Sequence, residues 1–302
     1  MELRHLRYVN ALARELHFGR AAESLHVAQP TLSQEIRKLE RELGVRLFDR
    51  GPRGVRLTDA GAAVLLDVDA TLAAAGQLLA SARALARAQA GTLRVGFVPT
   101  TAPPFLPEIV RAFRSEHPDV VLELVEFGID EPSAGLRDGD TDVALVWPPV
   151  DVPGLQLRAL RQQRRMVIMP AGHRLAAATS ISIRDLADEP FVAAETEDRV
   201  WANFWAAADQ RPRSAVAGPS ARTMEGLIAL VAAGQGVGLA PADVATRVRG
   251  AEVVAVPVRD IPPATLAVAW RGVTVVRLIA DFVSCAMASS RSGRGEASTR
   301  PA

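Results

Sequence analysis

Apolar residues recur at helical spacing over the first 44 positions. Leu6, Val9, Leu12, Ala13 and Leu16 fall on one face of a helix predicted over residues 4–16. Ala21, Ala22 and Leu25 do the same for a short helix over about 19–26. A third helix begins at Pro30, and its apolar stripe is Leu32, Ile36, Leu39 and Leu43, the period of a helix lying on a core. Proline in a first helical turn costs no hydrogen bond, because that N–H has no partner within the helix. Gly44 supplies the stop. The face opposite the stripe carries Pro30, Gln34, Arg37 and Arg41, flanked by Ser33 and Lys38.

The next stretch, "VRLFDRGPRGVRLT", reads as two short strands around Gly51-Pro52-Arg53-Gly54, with Arg50 and Arg53 at the tip. Three helices followed by a basic hairpin make a winged helix-turn-helix, whose second motif helix enters the major groove. Arginine and glutamine suit that position, since they form bidentate hydrogen bonds to guanine and adenine edges. A merely solvated helix face would account for any one of these side chains. The agreement of the short preceding helix, the turn and the arginine-tipped hairpin favours the base-reading surface.

Thr58 is a good N-cap for a long alanine-rich helix over 59–89. Leu65, Val68, Leu72, Ala75, Leu79, Ala82 and Ala86 keep 3-4 spacing, and Val64, Leu78 and Leu85 add a second seam. Such a stripe calls for another helix, most simply the same helix of a second copy, so Leu65, Val68, Leu72 and Leu79 are candidate dimerisation residues. Packing on the chain's own next domain would satisfy the same periodicity.

From Thr92 strands alternate with helices. Strands are predicted at "TLRVGFV", "VVLELVEF", "DVALVW", "RRMVIMP", "GVGLAP", "VVAVPV" and "TLAVAW". Helices are predicted over 104–116, from about 132, over 223–233 and over about 274–288. This order implies α/β sheets with ligand crevices at strand carboxyl ends. The tail 289–302 is small and polar and is expected to be disordered.

Composition narrows the function. A chain of 302 residues with 49% apolar and 23% charged residues is globular and long enough for two or three domains. Its net charge of +1 hides an asymmetry: residues 1–58 hold 11 Lys/Arg against 7 Asp/Glu, and the remainder holds 24 against 27. The basic end is where a polyanion is expected to bind. The single cysteine, Cys285, fits a reducing cytosol, and "MELRHLRYVN" lacks the apolar core of a secretion signal.

The stretch "FGRAAESLHVAQPTLSQEIRKLERELGVRLFDRGPRGVRLTDAG" over 18–61 resembles the amino-terminal domain of LysR-type transcriptional regulators nearly position by position. Pro107 with Phe113, "HP" at 117–118, "PAGHRLA" and "VAAGQGVGLAP" extend the resemblance through most of the chain. The resemblance implies a cytoplasmic regulator that binds double-stranded operator DNA as a homodimer or a dimer of dimers (homotetramer), with RNA polymerase as a further candidate partner. It implies three parts: a winged helix-turn-helix domain (1–58), a linker and dimerisation helix (59–89) and an effector-binding domain (90–302). The last is expected to have two Rossmann-like subdomains like those of periplasmic binding proteins. Subdomain I covers about 90–161 and 266–288, and subdomain II about 162–265.

Carried over residue by residue, the DNA-facing positions are Gln29, Pro30, Thr31, Ser33, Gln34, Arg37, Arg50 and Arg53, with Lys38 beside them. The effector cleft draws on Thr100, Thr101, Phe127, Gly128, Trp147 and Thr196, with Arg222 as a possible approach from the second subdomain. A helix starting after Thr101 would favour a carboxylate, hence a small organic or aromatic acid, although simple helix capping would explain both threonines.

Other classes fit worse. The five histidines are scattered without metal-ligand spacing, and no G-x-S-x-G or phosphate-cradling loop appears. An enzyme, a metal site and a cofactor are therefore not expected. The glycines of "AAGQGVGLAP" follow a helix instead of opening one, which fails the dinucleotide context. A solute-binding protein of the export pathway is disfavoured by the basic helical head, and no membrane association is expected.

Overall fold

The computed structural model describes residues 1–51, 54–100, 105–211, 216–247, 252–272 and 276–296. The chain forms two compact units, Met1–Leu78 and Leu79–Ala302, and the division falls inside a long helix.

The first unit packs α1 (Leu3–Glu15), α2 (Phe18–Ser24) and α3 (Gln29–Leu43) around Leu6, Val9, Leu12, Leu32, Ile36 and Leu39. His17 caps α2 by accepting hydrogen bonds from the Gly19 and Arg20 amides, and Gly44 ends α3 at φ 71°. Buried His5 braces α1 against α3. Its Nδ1 accepts from the Glu2 amide at 3.1 Å, which leaves Nε2 to donate to Glu35 at 2.8 Å.

The expected two-stranded hairpin follows, β1 (Phe48–Gly51) with β2 (Gly54–Leu57), with Gly51 opposite Gly54. Glu40 of α3 fixes its entry by accepting from the Leu47 and Phe48 amides at 2.8 and 3.1 Å. Two expected core residues lie outside the core. Leu16 is the left-handed C-cap of α1, where the chain turns away toward α2, and Leu43 lies in the last turn of α3, beyond the core. Leu47 and Phe48, both fully buried, fill the space instead.

Thr58 accepts the Gly61 amide at 2.8 Å and opens α4 (Asp59–Gln89). The first half of the expected stripe on α4 has a partner within its own chain. Val64, Leu65, Val68 and Leu72 pack on the helix-turn-helix core, with Val68 fully covered, because the helix leaves the hairpin directly along that core. The large apolar side chains left to solvent are Leu66, Leu78, Leu79 and Leu85. The helix is long and apolar enough to cross a membrane by length and composition alone.

In the second unit β3 (Thr92–Phe97), α5 (Phe105–Glu116), β4 (Val121–Glu126) and β5 (Val143–Val146) begin one lobe. The chain continues through β6 (Leu155–Gln163) into β7 (Arg165–Pro170), then β8 (Pro190–Ala194), α6 (Arg199–Trp205) and β9 (Val216–Ala221). It proceeds through α7 (Met224–Ala232), β10 (Gly238–Pro241), α8 (Ala242–Arg247) and β11 (Val253–Pro257). It returns by β12 (Ala264–Arg271) and ends in α9 (Arg277–Glu296).

The first lobe is a five-stranded sheet, β4-β3-β5-β12-β6, in which β3 runs parallel to both neighbours and β12 antiparallel to both of its own. The second lobe holds the antiparallel sheet β10-β7-β11 and the parallel pair β8-β9. The chain crosses between lobes twice, from β6 to β7 and from β11 to β12.

The carboxyl-terminal end of α4 is fastened to the first lobe. Arg87 Nε donates to both oxygens of Asp142 at 3.0 Å, and the Arg94 amide donates to the same carboxylate at 2.9 Å.

Three further expectations change. No helix forms near 132: the segment is a run of turns, with positive φ at Ala134, Gly135 and Gly139. Strands β6, β8 and β9 and helices α6 and α8 were not anticipated. The expected tail is helical as far as Glu296, since buried Ser290 bonds the Leu160 carbonyl of β6; residues 297–302 lie outside the described residues.

Candidate nucleic-acid interface and ligand cavity

Burial of Leu32, Ile36 and Leu39 turns the other face of α3 to solvent. Gln29, Pro30, Thr31, Gln34, Arg37, Lys38 and Arg41 are exposed there, with Ser33 half-buried. Pro30, Ser33, Gln34, Arg37, Arg41 and Arg46 line one open groove. Arg46 was not singled out in the sequence, because it follows Gly44 and belongs to no periodic element. Arg50 is not a free tip residue. Its Nη1 donates to Ser33 Oγ at 3.0 Å and its guanidinium carbon stands 4.5 Å from the Phe18 ring centre. Burial, together with nearby Arg37, lowers its pKa. Arg53 lies outside the described residues.

Between the lobes of the second unit is a cavity of about 40 Å³. Thr100, following β3, and Trp147, following β5, reach it from the first lobe, while Trp201 and Trp205 of α6 and Met224 and Leu227 of α7 reach it from the second. Among the described residues that line it none is charged. The rings of Trp147 and Trp205 meet edge to face with centroids 6.2 Å apart, and Trp201 lies 5.9 Å from Trp205. The Nε1 atoms of Trp147 and Trp205 are buried and have no hydrogen-bond partner among the described residues.

Polar contacts also join the lobes beside this cavity. Asp198, fully buried, caps α6 through Oδ1 to the Trp201 amide at 2.9 Å. Its Oδ2 accepts from the Asp151 amide at 2.8 Å and lies 3.7 Å from Arg137. Arg222 donates to Asp130 at 2.9 Å, and beside them a Cβ on Gly128 would stand 2.5 Å from the Arg222 carbonyl.

The cavity thus contains Thr100 and Trp147 of the expected effector residues. Phe127 packs over Gly135, Gly128 and Arg222 belong to the interlobe contact, and Thr196 accepts the Asp198 amide at 3.2 Å. Thr101 lies outside the described residues. Sequence reasoning missed Trp201 and Trp205. Their signal was present: Asp198 as N-cap, with two tryptophans four residues apart in "DRVWANFW".

A winged helix-turn-helix unit joined to a two-lobed α/β unit is the architecture of DNA-binding transcriptional regulators. Residues 3–62 match the bacterial regulatory helix-turn-helix protein, lysR family, and residues 86–288 match the LysR substrate binding domain. The chain belongs to the LysR family. It is 40% identical over 197 residues to the transcriptional regulator AlsR of Bacillus subtilis (strain 168), an alignment covering 65% of each chain. The chain therefore spans just under two thirds of the length of that relative. It is 31% identical over 249 residues to BenM of Acinetobacter baylyi, covering 80% of this chain and 81% of BenM. Among solved structures it resembles full-length BenM (TM-score 0.54, 27% identity, 100% and 99% coverage). It also resembles full-length CbnR complexed with its target DNA (TM-score 0.50, 25% identity, 96% and 100% coverage).

Proposed function

We propose that the protein is a cytoplasmic, sequence-specific DNA-binding regulator of transcription. It acts as a homodimer, or a dimer of dimers, and is switched by a small molecule bound between the lobes of its second unit. The observation that carries this reading is the outward face of α3, where Gln34, Arg37 and Arg41 border one groove while Leu32, Ile36 and Leu39 hold the helix on its core. Backbone contacts by basic residues position such a helix, and side chains on its outer face read base edges. Self-association is supported by the exposed Leu78, Leu79 and Leu85 on α4, and switching by the internal cavity. Contact with RNA polymerase would follow from a role in activation.

The test is a gel-shift titration of the full chain on the DNA upstream of its own gene, at fixed salt, against a shuffled fragment of the same length. Retardation of the native fragment by at least tenfold lower protein is expected. Equal affinity for both would leave only non-specific polyanion binding.

A further inference from the structure

Resting on the reading of α3 as the helix that enters the major groove, we infer that Ser33 discriminates among bases by a hydrogen bond whose direction Arg50 fixes. The Ser33 hydroxyl donates to an acceptor on a base edge: a purine N7, guanine O6 or thymine O4. The amino group of cytosine is rejected at that position.

The bond between the two residues can run in one direction alone. A guanidinium carries donors and no acceptor, so Ser33 Oγ accepts from Arg50 Nη1 at 3.0 Å. One lone pair of the hydroxyl is thereby used within the protein. Its proton has no acceptor among the described residues. Accepting from a charged donor also polarises the hydroxyl, which makes it a stronger donor in its turn.

The guanidinium is held where it does this. Its carbon stands 4.5 Å from the centre of the Phe18 ring, so it lies between α2 and α3. Burial first, and the nearby charge of Arg37 second, lower the Arg50 pKa. Arg37 is one helical turn along from Ser33. The oxygen of Ser33 therefore sits in the field of two cations. A base amino group aimed at its remaining lone pair would bring a partial positive charge toward both, whereas an acceptor atom is attracted by both.

Ser33 is also placed to meet a base. It lines one open groove together with Pro30, Gln34 and Arg37 on the outward face of α3. In the major groove cytosine presents a donor alone, while guanine, adenine and thymine each present at least one acceptor. A fixed donor at this point gives a distinctive pattern: one base excluded and three admitted.

The test is selection of bound duplexes from a random-sequence pool by the full chain. Affinities are then measured at fixed salt on the enriched sequence and its single-base variants. The parent is expected to show one position that admits guanine, adenine or thymine and disfavours cytosine about five- to tenfold. Ser33→Ala should flatten that position to within about twofold and keep the other preferences. Arg50→Met should admit cytosine there, again within about twofold, because Ser33 then accepts freely. A wing that was merely loosened would weaken all sequences alike and would leave the cytosine penalty in place. That penalty, unchanged in Arg50→Met, overturns the role of Arg50. A Ser33-dependent position that prefers cytosine overturns the direction of the bond. Uniform weakening of all sequences by Ser33→Ala puts the hydroxyl on a phosphate, and unaltered binding removes it from the contact; either result overturns the inference. Failure of the parent chain to enrich any sequence is a different outcome, since it overturns the reading of α3 and the inference falls with it.

Discussion

Arg50 Nη1 donates to Ser33 Oγ at 3.0 Å, so the wing is tied to the recognition helix by a side chain that the family resemblance places against DNA. The same guanidinium covers the Phe18 ring of α2, which joins three elements through one residue. Arg50→Met keeps the packing and removes the bond. Specific DNA affinity is expected to fall about five- to tenfold, roughly 1–1.4 kcal/mol. The slope of log K against log salt is expected to change by well under one unit, because Arg50 is spent on Ser33. A slope shallower by about one unit in a salt titration would place Arg50 on a phosphate.

Arg37 lies on the exposed face of α3, directly opposite the buried stripe. Arg37→Ala is expected to cost ~1–3 kcal/mol of specific binding and to leave thermal unfolding within a degree or so of the parent. Gel shift on the native fragment, paired with a melting curve, separates the two effects. Unchanged specific affinity would remove Arg37 from base readout.

The two halves of α4 are expected to respond differently to one kind of change. Leu72→Glu places a carboxylate against the helix-turn-helix core and should destabilise the first unit by several kcal/mol. Leu78 is 71% exposed and Leu85, one heptad on, 52%. Leu78→Glu should leave folding intact and shift sedimentation from dimer to monomer. A dimer that persists in Leu78→Glu would move the self-association surface away from this helix.

Asp142 is fully buried and accepts from Arg87 of α4 and from the Arg94 amide. Arg87→Met leaves that carboxylate without its cation, and a loss of ~3–5 kcal/mol is expected in urea unfolding of the second unit. Arg87→Met with Asp142→Asn should recover a good part of it, since a neutral amide in that place needs no countercharge. Additive losses in the double variant would refute the pairing as the cause.

Burial, helped by Glu116 at 3.8 Å from the sulfur, pushes the Cys285 thiol up to about 11 from an ordinary 9.0. The folded thiol is therefore expected to ignore a thiol-reactive dye at pH 8 and to react once the chain is unfolded. Because the folded value is the higher one, this group's contribution to stability is complete below about pH 9 and is lost as pH rises through about 11. Rapid labelling of the native chain would contradict the burial argument.

The helices of the first unit were legible because each buries one stripe on one core, and the hairpin because two glycines frame its turn. What periodicity could not say was which neighbour covers a stripe. Val68 and Leu72 share their spacing with Leu79, yet the first two face their own domain and the last faces solvent. Leu43 failed for a related reason: the 4-3-4 pattern continued one turn past the core that gives it meaning. In the second unit, central strands such as "VALV" announce themselves as continuous apolar runs. Strand β6, "LQLRALRQQ", is an edge with exposed polar positions and gives no such signal. The cavity was half legible. Thr100 and Trp147 follow strands, where a crevice is expected, but Trp201 and Trp205 come from a helix too short to be recognised by period.

Asp198 divides its two oxygens between lobes, one closing the start of α6 and the other taking the Asp151 N–H. Parting the lobes strips the second oxygen of its donor while the first stays committed to the helix. The resulting energy is stepwise in separation, so intermediate openings are disfavoured against fully joined or fully parted states. The Asp151 amide then becomes a clock for that event: its exchange with deuterium counts how often the lobes separate, one residue at a time and without any knowledge of the ligand.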